Sequence, residues 1–256
     1  MSDALFEVRD LTRRYRLPRT SPLAPARLVA AVNGVSFDVA RGESLGVVGE
    51  SGSGKTTLLR LLLGLERPDA GSVVYRGGSL RREVQVVFQD PASALDPRMR
   101  VADIVLEPLR VMRIAAGPPL VAELLDDVGL PAAAARRFPH EFSGGQRQRI
   151  AIARALAPRP RALLADEPVS ALDVSVRAQV LNLLEDLRVG YDLTLVLVSH
   201  DLSAVRHLCD RVLVMRDGRV VEEGPTRAIF REPRDPYTRA LLDAIPRLRN
   251  RRAAST

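Results

Sequence analysis

The octapeptide Gly49-Glu50-Ser51-Gly52-Ser53-Gly54-Lys55-Thr56 narrows the choice of folds more than any other stretch of this chain. It fits the pattern G-x-x-x-x-G-K-[ST], which chance alone supplies in roughly one in a hundred chains of this length. Its setting points the same way. Ser44 to Val48 (SLGVV) is a short apolar run of strand type, and Thr57 to Leu63 reads as a helix that Gly64 stops. Strand, glycine-rich turn and helix form the context that a phosphate loop requires. The glycines let backbone N–H groups curl round an anion, and the start of the helix adds its partial positive charge. Lys55 would reach the β- and γ-phosphates of a nucleotide as a compact charge, while the Thr56 hydroxyl would ligate Mg2+. Residues Gly49 through Thr57 are therefore assigned to nucleotide binding.

Composition sharpens this assignment at one point. Lys55 is the only lysine, and every other one of the 38 basic residues is arginine. Arginine's planar fork fits poorly in so tight a loop, so the exception falls where a point charge is required. Elsewhere composition sets bounds. A chain of 256 residues with 46% hydrophobic and 27% charged residues accommodates a large α/β domain with a smaller lobe, and does not read as disordered. No apolar run approaches the length that spans a bilayer. The start MSDALFEVRD has neither a basic n-region nor an apolar h-region, so a soluble, cytoplasmic chain without a secretory signal is expected. Cys209, the single cysteine, excludes an intrachain disulfide and cysteine-rich metal sites, and is expected to be a small buried hydrophobe. The net charge of +7 raises nucleic acid or anionic membrane as partners. The arginines are scattered, however, and only Arg247, Arg249, Arg251 and Arg252 cluster, as a solvated end; no nucleic-acid partner is expected.

Many nucleotide-binding proteins own such a loop, so the class has to come from other residues. Ala162 to Ala165 is a short buried-strand run that ends in Asp166-Glu167. An Asp at a strand end can hold Mg2+ through water, and the adjacent carboxylate can polarise an attacking water. Twenty-odd residues earlier, Ser143-Gly144-Gly145-Gln146 precedes the helix-like run Gln146 to Leu156, a second helix start suited to an anion. In register between a phosphate loop and an Asp-Glu pair, this tetrapeptide resembles the signature of the ABC ATPase family, with Phe142 where leucine is usual. The remaining motifs follow in the family's order over nearly the whole chain. The resemblance implies ATP and Mg2+ as ligands and gives each residue an expected role. Gln89, at the end of the strand-like run Val84 to Phe88, corresponds to the glutamine that contacts Mg2+ or the water. Ser170-Ala171-Leu172-Asp173 is similar to the D-loop. His200, after the run Leu193 to Val198, is similar to the switch histidine that senses the γ-phosphate. Tyr15, following the strand-like Phe6 to Leu11, stands where the family places an aromatic residue that stacks on adenine. The resemblance thus makes Glu167, His200 and Gln89 catalytic, makes Thr56, Gln89 and Asp166 the metal set, and adds Ser143 to Gln146 and Asp173 to the nucleotide set.

The expected fold class is α/β, a P-loop NTPase core with a mainly parallel sheet. The family adds an antiparallel β lobe, here from Phe6 to Leu11, Val35 to Val39 and Ser72 to Tyr75, and a helical lobe inserted at about 90–157. Helix-type runs at Val101 to Val111 and Leu120 to Leu130 fit that lobe. Leu17 to Pro25 reads as an exposed proline-rich loop. Asp217-Gly218 between two valine-rich runs signals a hairpin. An ATPase domain over 1–225 and a carboxyl-terminal extension over 226–256 are expected. Phe88-Gln89-Asp90-Pro91 with Ala94 to Arg98, and the tail Asp235-Pro236-Tyr237-Thr238, resemble the oligopeptide, dipeptide and nickel importer group. Physically that tail reads as an N-capping Asp, a proline at the first helical position and a short amphipathic helix. Many members of this group continue with a cysteine-bearing extension; none is present through Thr256, so an iron–sulfur cluster is not expected. The group implies integral membrane permease subunits, a second and non-identical ATPase subunit and, indirectly, a substrate-binding protein, with the chain peripheral on the cytoplasmic face of the cell membrane. An exporter cassette stays open, because cassette motifs alone do not set direction. A DNA-repair ATPase would need a long coiled-coil insertion, and a translation factor of the superfamily would carry two cassettes.

Overall fold

A computed structural model describes residues 3–16, 28–90 and 94–244. The expectations for Leu17 to Pro25, Pro91 and the basic cluster Arg247 to Arg252 lie outside the described residues.

The chain opens with two long strands, β1 (Ala4–Arg16) and β2 (Leu28–Ala40), paired antiparallel. β3 (Ser44–Val48) leads into α1 (Lys55–Leu62), and β4 (Ala70–Tyr75) returns to flank β1, completing a three-stranded sheet of order β2-β1-β4. α2 (Leu80–Glu83) and β5 (Val84–Val87) follow. Three helices, α3 (Val101–Val111), α4 (Pro118–Asp127) and α5 (Gly144–Leu156), come next with two short 3-10 turns. β6 (Ala162–Asp166), α6 (Val174–Gly190), β7 (Thr194–Ser199), α7 (Leu202–Leu208) and β8 (Arg211–Arg216) build the core. The described chain closes with β9 (Arg219–Pro225), α8 (Thr226–Arg231) and α9 (Pro236–Asp243).

The second sheet has the order β5-β6-β7-β3-β8-β9, parallel throughout except for the β8–β9 hairpin. Its central strands β3, β6 and β7 are buried along their whole length, as a sheet covered on both faces requires. This is why they read in the sequence as unbroken apolar runs. α7 packs so closely on β3 that a Cβ at Gly46 would lie 2.5 Å from a Val205 methyl and 3.3 Å from the Cys209 sulfur. Cys209 is accordingly a buried packing residue, and burial pushes its thiol pKa up. The β8–β9 turn carries Asp217 at φ 49° and Gly218 at φ 76°, the left-handed pair that a two-residue hairpin needs.

Three element boundaries differ from the sequence reading. β1 and β2 are each 13 residues, far longer than Phe6 to Leu11 and Val35 to Val39, because bulges between Val8 and Leu11 and further along break the apolar alternation. Tyr15 therefore lies within β1, opposite Val29, not in a loop after it. α4 starts at Pro118 and ends at Asp127, before Leu130. The amide of Gly129, at φ 68°, donates to Asp126 O at 2.8 Å and closes the helix.

Candidate active site

Strand register assembles the site. Val48 of β3 pairs with Ser199 of β7 and Val214 of β8, Asp166 of β6 pairs with Val198, and Val87 of β5 pairs with Ala165. The segments that leave these strands therefore emerge side by side from one carboxyl edge, the edge at which open α/β sheets bind ligands. That edge carries Gly49 after β3, Asp166 as the last residue of β6 with Glu167 following it, His200 after β7 and Gln89 after β5.

The phosphate loop is shaped by close backbone approaches. Gly54 caps α1 at φ 106°, and a Cβ there would lie 2.0 Å from the Ala31 carbonyl oxygen. A Cβ at Gly49 would lie 2.2 Å from the Met215 carbonyl oxygen. No larger residue fits at either place. Lys55 is 6% exposed, and its ammonium bridges the loop by donating to Gly49 O at 2.7 Å and Glu50 O at 2.8 Å. Burial lowers its pKa, and the charges of Glu167, Asp166 and Glu50 oppose that shift. The Ser53 hydroxyl is buried in the loop without a hydrogen-bond partner. A desolvated cation and an orphaned hydroxyl at a helix start are what a phosphate group would satisfy, so the residues present fit a nucleotide's phosphates.

The adjoining carboxylates suit a hard cation. The Thr56 hydroxyl adjoins the Asp166 carboxylate and favours its charged form. Asp166 is buried at the end of β6, and its pKa is raised by burial first and by the Glu167 charge second. One carboxylate and one hydroxyl beside a phosphate cradle fit Mg2+, which keeps several waters and takes few protein ligands.

Glu167 stands in a rare backbone conformation for a residue other than glycine, φ 46°. That geometry costs about 1–3 kcal/mol and persists only where surroundings enforce it. Here its N–H donates to Val198 O at 2.8 Å, and its carbonyl accepts from the Ser170 N–H at 3.2 Å and hydroxyl at 3.1 Å. The side chain turns toward His200, whose Nδ1 lies 3.0 Å from Glu167 Oε2. Behind His200, Asp201 accepts from Ser203 N at 2.9 Å and so caps α7, and it also takes an ion pair at 2.9 Å from Arg177 of α6. Sequence reasoning missed Arg177, because nothing distinguishes one arginine among so many.

Among the described residues, the other expected site residues make no hydrogen bond or ion pair to the phosphate loop. Ser143 caps α5 in a reciprocal box: its N–H donates to Gln146 Oε1 at 3.0 Å, and its hydroxyl accepts from Gln146 N at 3.3 Å. Ser143, Gly144 and Gln146 are exposed, and among the described residues no hydrogen bond or ion pair joins this tetrapeptide to the phosphate loop. Gly145 is buried against α6, where a Cβ would meet a Val176 methyl at 2.2 Å. Asp173 is the exposed N-cap residue of α6, and Gln89 is exposed two residues beyond β5. Tyr15 lies on β1 with its hydroxyl on the Glu66 carboxylate and the Arg13 guanidinium 5.0 Å above its ring. Two residues reach the loop unannounced by the sequence: Gly218 N donates to Ser53 O at 3.0 Å, and the Tyr237 hydroxyl accepts from Glu50 N at 2.9 Å.

Comparison with known proteins agrees with this geometry. The family description "ABC transporter" matches residues 32–170, and "Oligopeptide/dipeptide transporter, C-terminal region" matches residues 221–256. The dipeptide transport ATP-binding protein DppF of Escherichia coli K12 is 47% identical over 97% of this chain and 78% of its own length. The oligopeptide transport ATP-binding protein OppD of Mycobacterium tuberculosis is 48% identical over 96% of this chain. The chain spans 42% of OppD, and 41% of a glutathione import ATP-binding protein, GsiA of Shigella dysenteriae. Among solved structures, a dimeric post-hydrolysis state of the ATP-binding cassette MJ0796 bound to ADP and Pi superposes with a TM-score of 0.75. That match is 29% identical over 87% of this chain and 99% of the cassette. The matched family, the relatives and the site geometry agree: this chain belongs to the ABC transporter family, as one of its ATP-binding cassettes.

Proposed function

We propose that this chain hydrolyses ATP to drive uptake of a peptide-like solute through separate membrane subunits. The observation that carries the catalytic part is the arrangement of Lys55, Asp166, Glu167 and His200 on one sheet edge. A buried cation there lies within the electrostatic reach of two carboxylates, one of them strained and 3.0 Å from a histidine nitrogen. In this reading Gly49 through Thr57 cradle the phosphates, with Lys55 at the β- and γ-phosphates. Thr56, Asp166 and Gln89 would hold Mg2+, which would supply positive charge against the charge that develops on the phosphates. Glu167 accepts a proton from the attacking water as its oxygen bonds to the γ-phosphorus. The bond from that phosphorus to the bridging oxygen then breaks, leaving ADP and inorganic phosphate. His200 holds the Glu167 carboxylate in place and meets the γ-phosphate. Tyr15 stacks on the adenine.

The direction of transport and the solute class draw support from the tail. The importer-group profile on residues 221–256 and the relatives' names favour peptides over nickel. We take 1–225 as the ATPase domain and 226–256 as an extension, although the profile match begins within β9. Among the described residues no helix is long and apolar enough to cross a membrane, which is compatible with a subunit held at the cytoplasmic face by permease partners. Ser143 to Gln146 and Asp173, exposed and away from their own loop, suit a site on a facing cassette.

Phosphate release from ATP by the purified chain, beside Lys55→Ala and Glu167→Gln, tests this reading. Equal rates in all three would overturn it.

A further inference from the structure

The carboxyl-terminal segment reaches the phosphate loop through one side chain. The Asp235 carboxylate accepts from Tyr237 N at 2.8 Å and, with Pro236 in the first turn, starts α9. Glu222, buried on β9, accepts from the backbone N–H groups of Arg234 and Asp235 at 2.9 and 3.1 Å, which seats the start of that helix on the sheet. Tyr237 is thereby buried, 8% exposed, with the Arg216 guanidinium 4.9 Å from the centre of its ring. Its hydroxyl oxygen accepts from the Glu50 amide at 2.9 Å. Three residues on, the Gly218 amide donates to Ser53 O at 3.0 Å, while the loop closes on itself from Ser53 N to Glu50 O at 3.2 Å. The turn from Glu50 to Ser53 is thus held at both ends by residues some 165 to 190 positions away, within the β8–β9 hairpin and α9.

We propose that Tyr237 is a positioning residue for the phosphate loop, holding the Glu50 amide so that the amides beyond it stay aimed at a nucleotide's phosphates. The inference rests on the nucleotide reading of this loop. A free glycine-rich turn loses backbone freedom when it closes on an anion, and that loss subtracts from affinity. Bracing the turn during folding moves the loss out of the binding step. The amide that Tyr237 occupies is not available to phosphate, so the hydroxyl acts on the loop and not on the ligand. The carboxyl-terminal region, residues 221–256, then does more than extend the cassette. How α9 is seated sets how firmly the loop grips phosphate.

Tyr237→Phe tests this in the full chain, because it keeps the ring, its packing and its Arg216 contact and deletes only the acceptor. Binding of ATP, ADP and adenosine is measured, with steady-state kinetics and melting without nucleotide. One hydrogen bond's net worth predicts Kd for ATP and ADP raised about three- to ten-fold. Adenosine affinity is expected to stay unchanged, and KM to rise while kcat holds. A variant that melts lower but binds ATP and ADP as tightly as wild type would show a merely structural tyrosine and overturn the proposal. An equal loss for adenosine would overturn it too. Lys55→Ala run in parallel separates the failures: if it leaves ATP affinity intact, the loop is not the nucleotide site and this inference falls with that reading.

Discussion

His200 Nδ1 sits 3.0 Å from Glu167 Oε2, joining the end of β7 to the residue after β6. The two side chains differ sharply in environment, the histidine 59% exposed and the glutamate 18%. Glu167 is pinned through its backbone at φ 46° and through its carboxylate by His200, so its free oxygen has a defined direction. The histidine is thus the solvent-facing member of the pair and the carboxylate the enclosed one.

Glu167→Gln should leave ATP binding intact and reduce turnover by about 100- to 10,000-fold, since an amide fills the same space but accepts no proton. Nucleotide affinity and steady-state phosphate release check it. Rapid turnover by this variant would remove Glu167 as the catalytic carboxylate.

Asp166 gives a pH-dependent prediction. Burial and the Glu167 charge raise its pKa above 3.8, so the folded chain holds this proton more tightly than the unfolded chain does. Below 3.8 both states are protonated and the group is neutral to stability. As pH rises through the window from 3.8 to the raised value, the folded state loses stability, and the full loss persists at neutral pH. Asp166→Asn should therefore melt higher than wild type at pH 7 without ligand, an advantage that fades below 3.8, and should weaken the Mg2+ dependence of ATP hydrolysis about 10- to 100-fold. A lower melting temperature at pH 7 would mean that the carboxylate stabilises the fold.

How much of this was legible in the sequence depends on what each feature is made of. β3, β6 and β7 are buried on both faces, so their apolar runs predicted them to within a residue. β1 and β2 defeated the same reasoning because bulges interrupt their period of two. Gly49 to Thr57 and Asp166-Glu167 are contiguous motifs, and local chemistry identified them. The contacts of Gly218 and Tyr237 with the loop join backbone atoms to residues far along the chain, and no local pattern encodes such a pairing. The strain at Glu167 was equally hidden, since a positive φ leaves no mark in a sequence without glycine at that position.

Tyr15→Ala should cost a few-fold to about a hundred-fold in nucleotide affinity, because base–aromatic stacking is worth about 1–3 kcal/mol. Tyr15→Phe should be nearly silent for binding, although it loses the Glu66 contact. Affinity measured for both variants decides the matter, and alanine tolerated without change would leave Tyr15 a strand residue held by Glu66 and Arg13.

The exposed signature leads to a prediction about assembly. Ser143, Gly144 and Gln146 lie open at the start of α5, their hydrogen bonds closed within their own turn. Each phosphate loop therefore has a helix start to offer to a neighbour, and two chains facing head to tail would close two sites at once. ATP would then bind the cassettes together, and hydrolysis would release them, which couples chemistry to movement of the membrane subunits. Specific activity of the purified chain should rise with protein concentration and rise further when the non-identical partner cassette is added. Glu167→Gln with ATP should accumulate as a dimer on size exclusion, and replacing Ser143 by Arg should abolish both the dimer and turnover while leaving monomeric ATP binding within a few-fold of wild type. The arginine is chosen because it blocks a close approach without touching the chain's own loop. Activity that stays high and flat down to concentrations where the chain is monomeric would sink the shared-site reading. So would a Ser143→Arg variant that hydrolyses ATP normally.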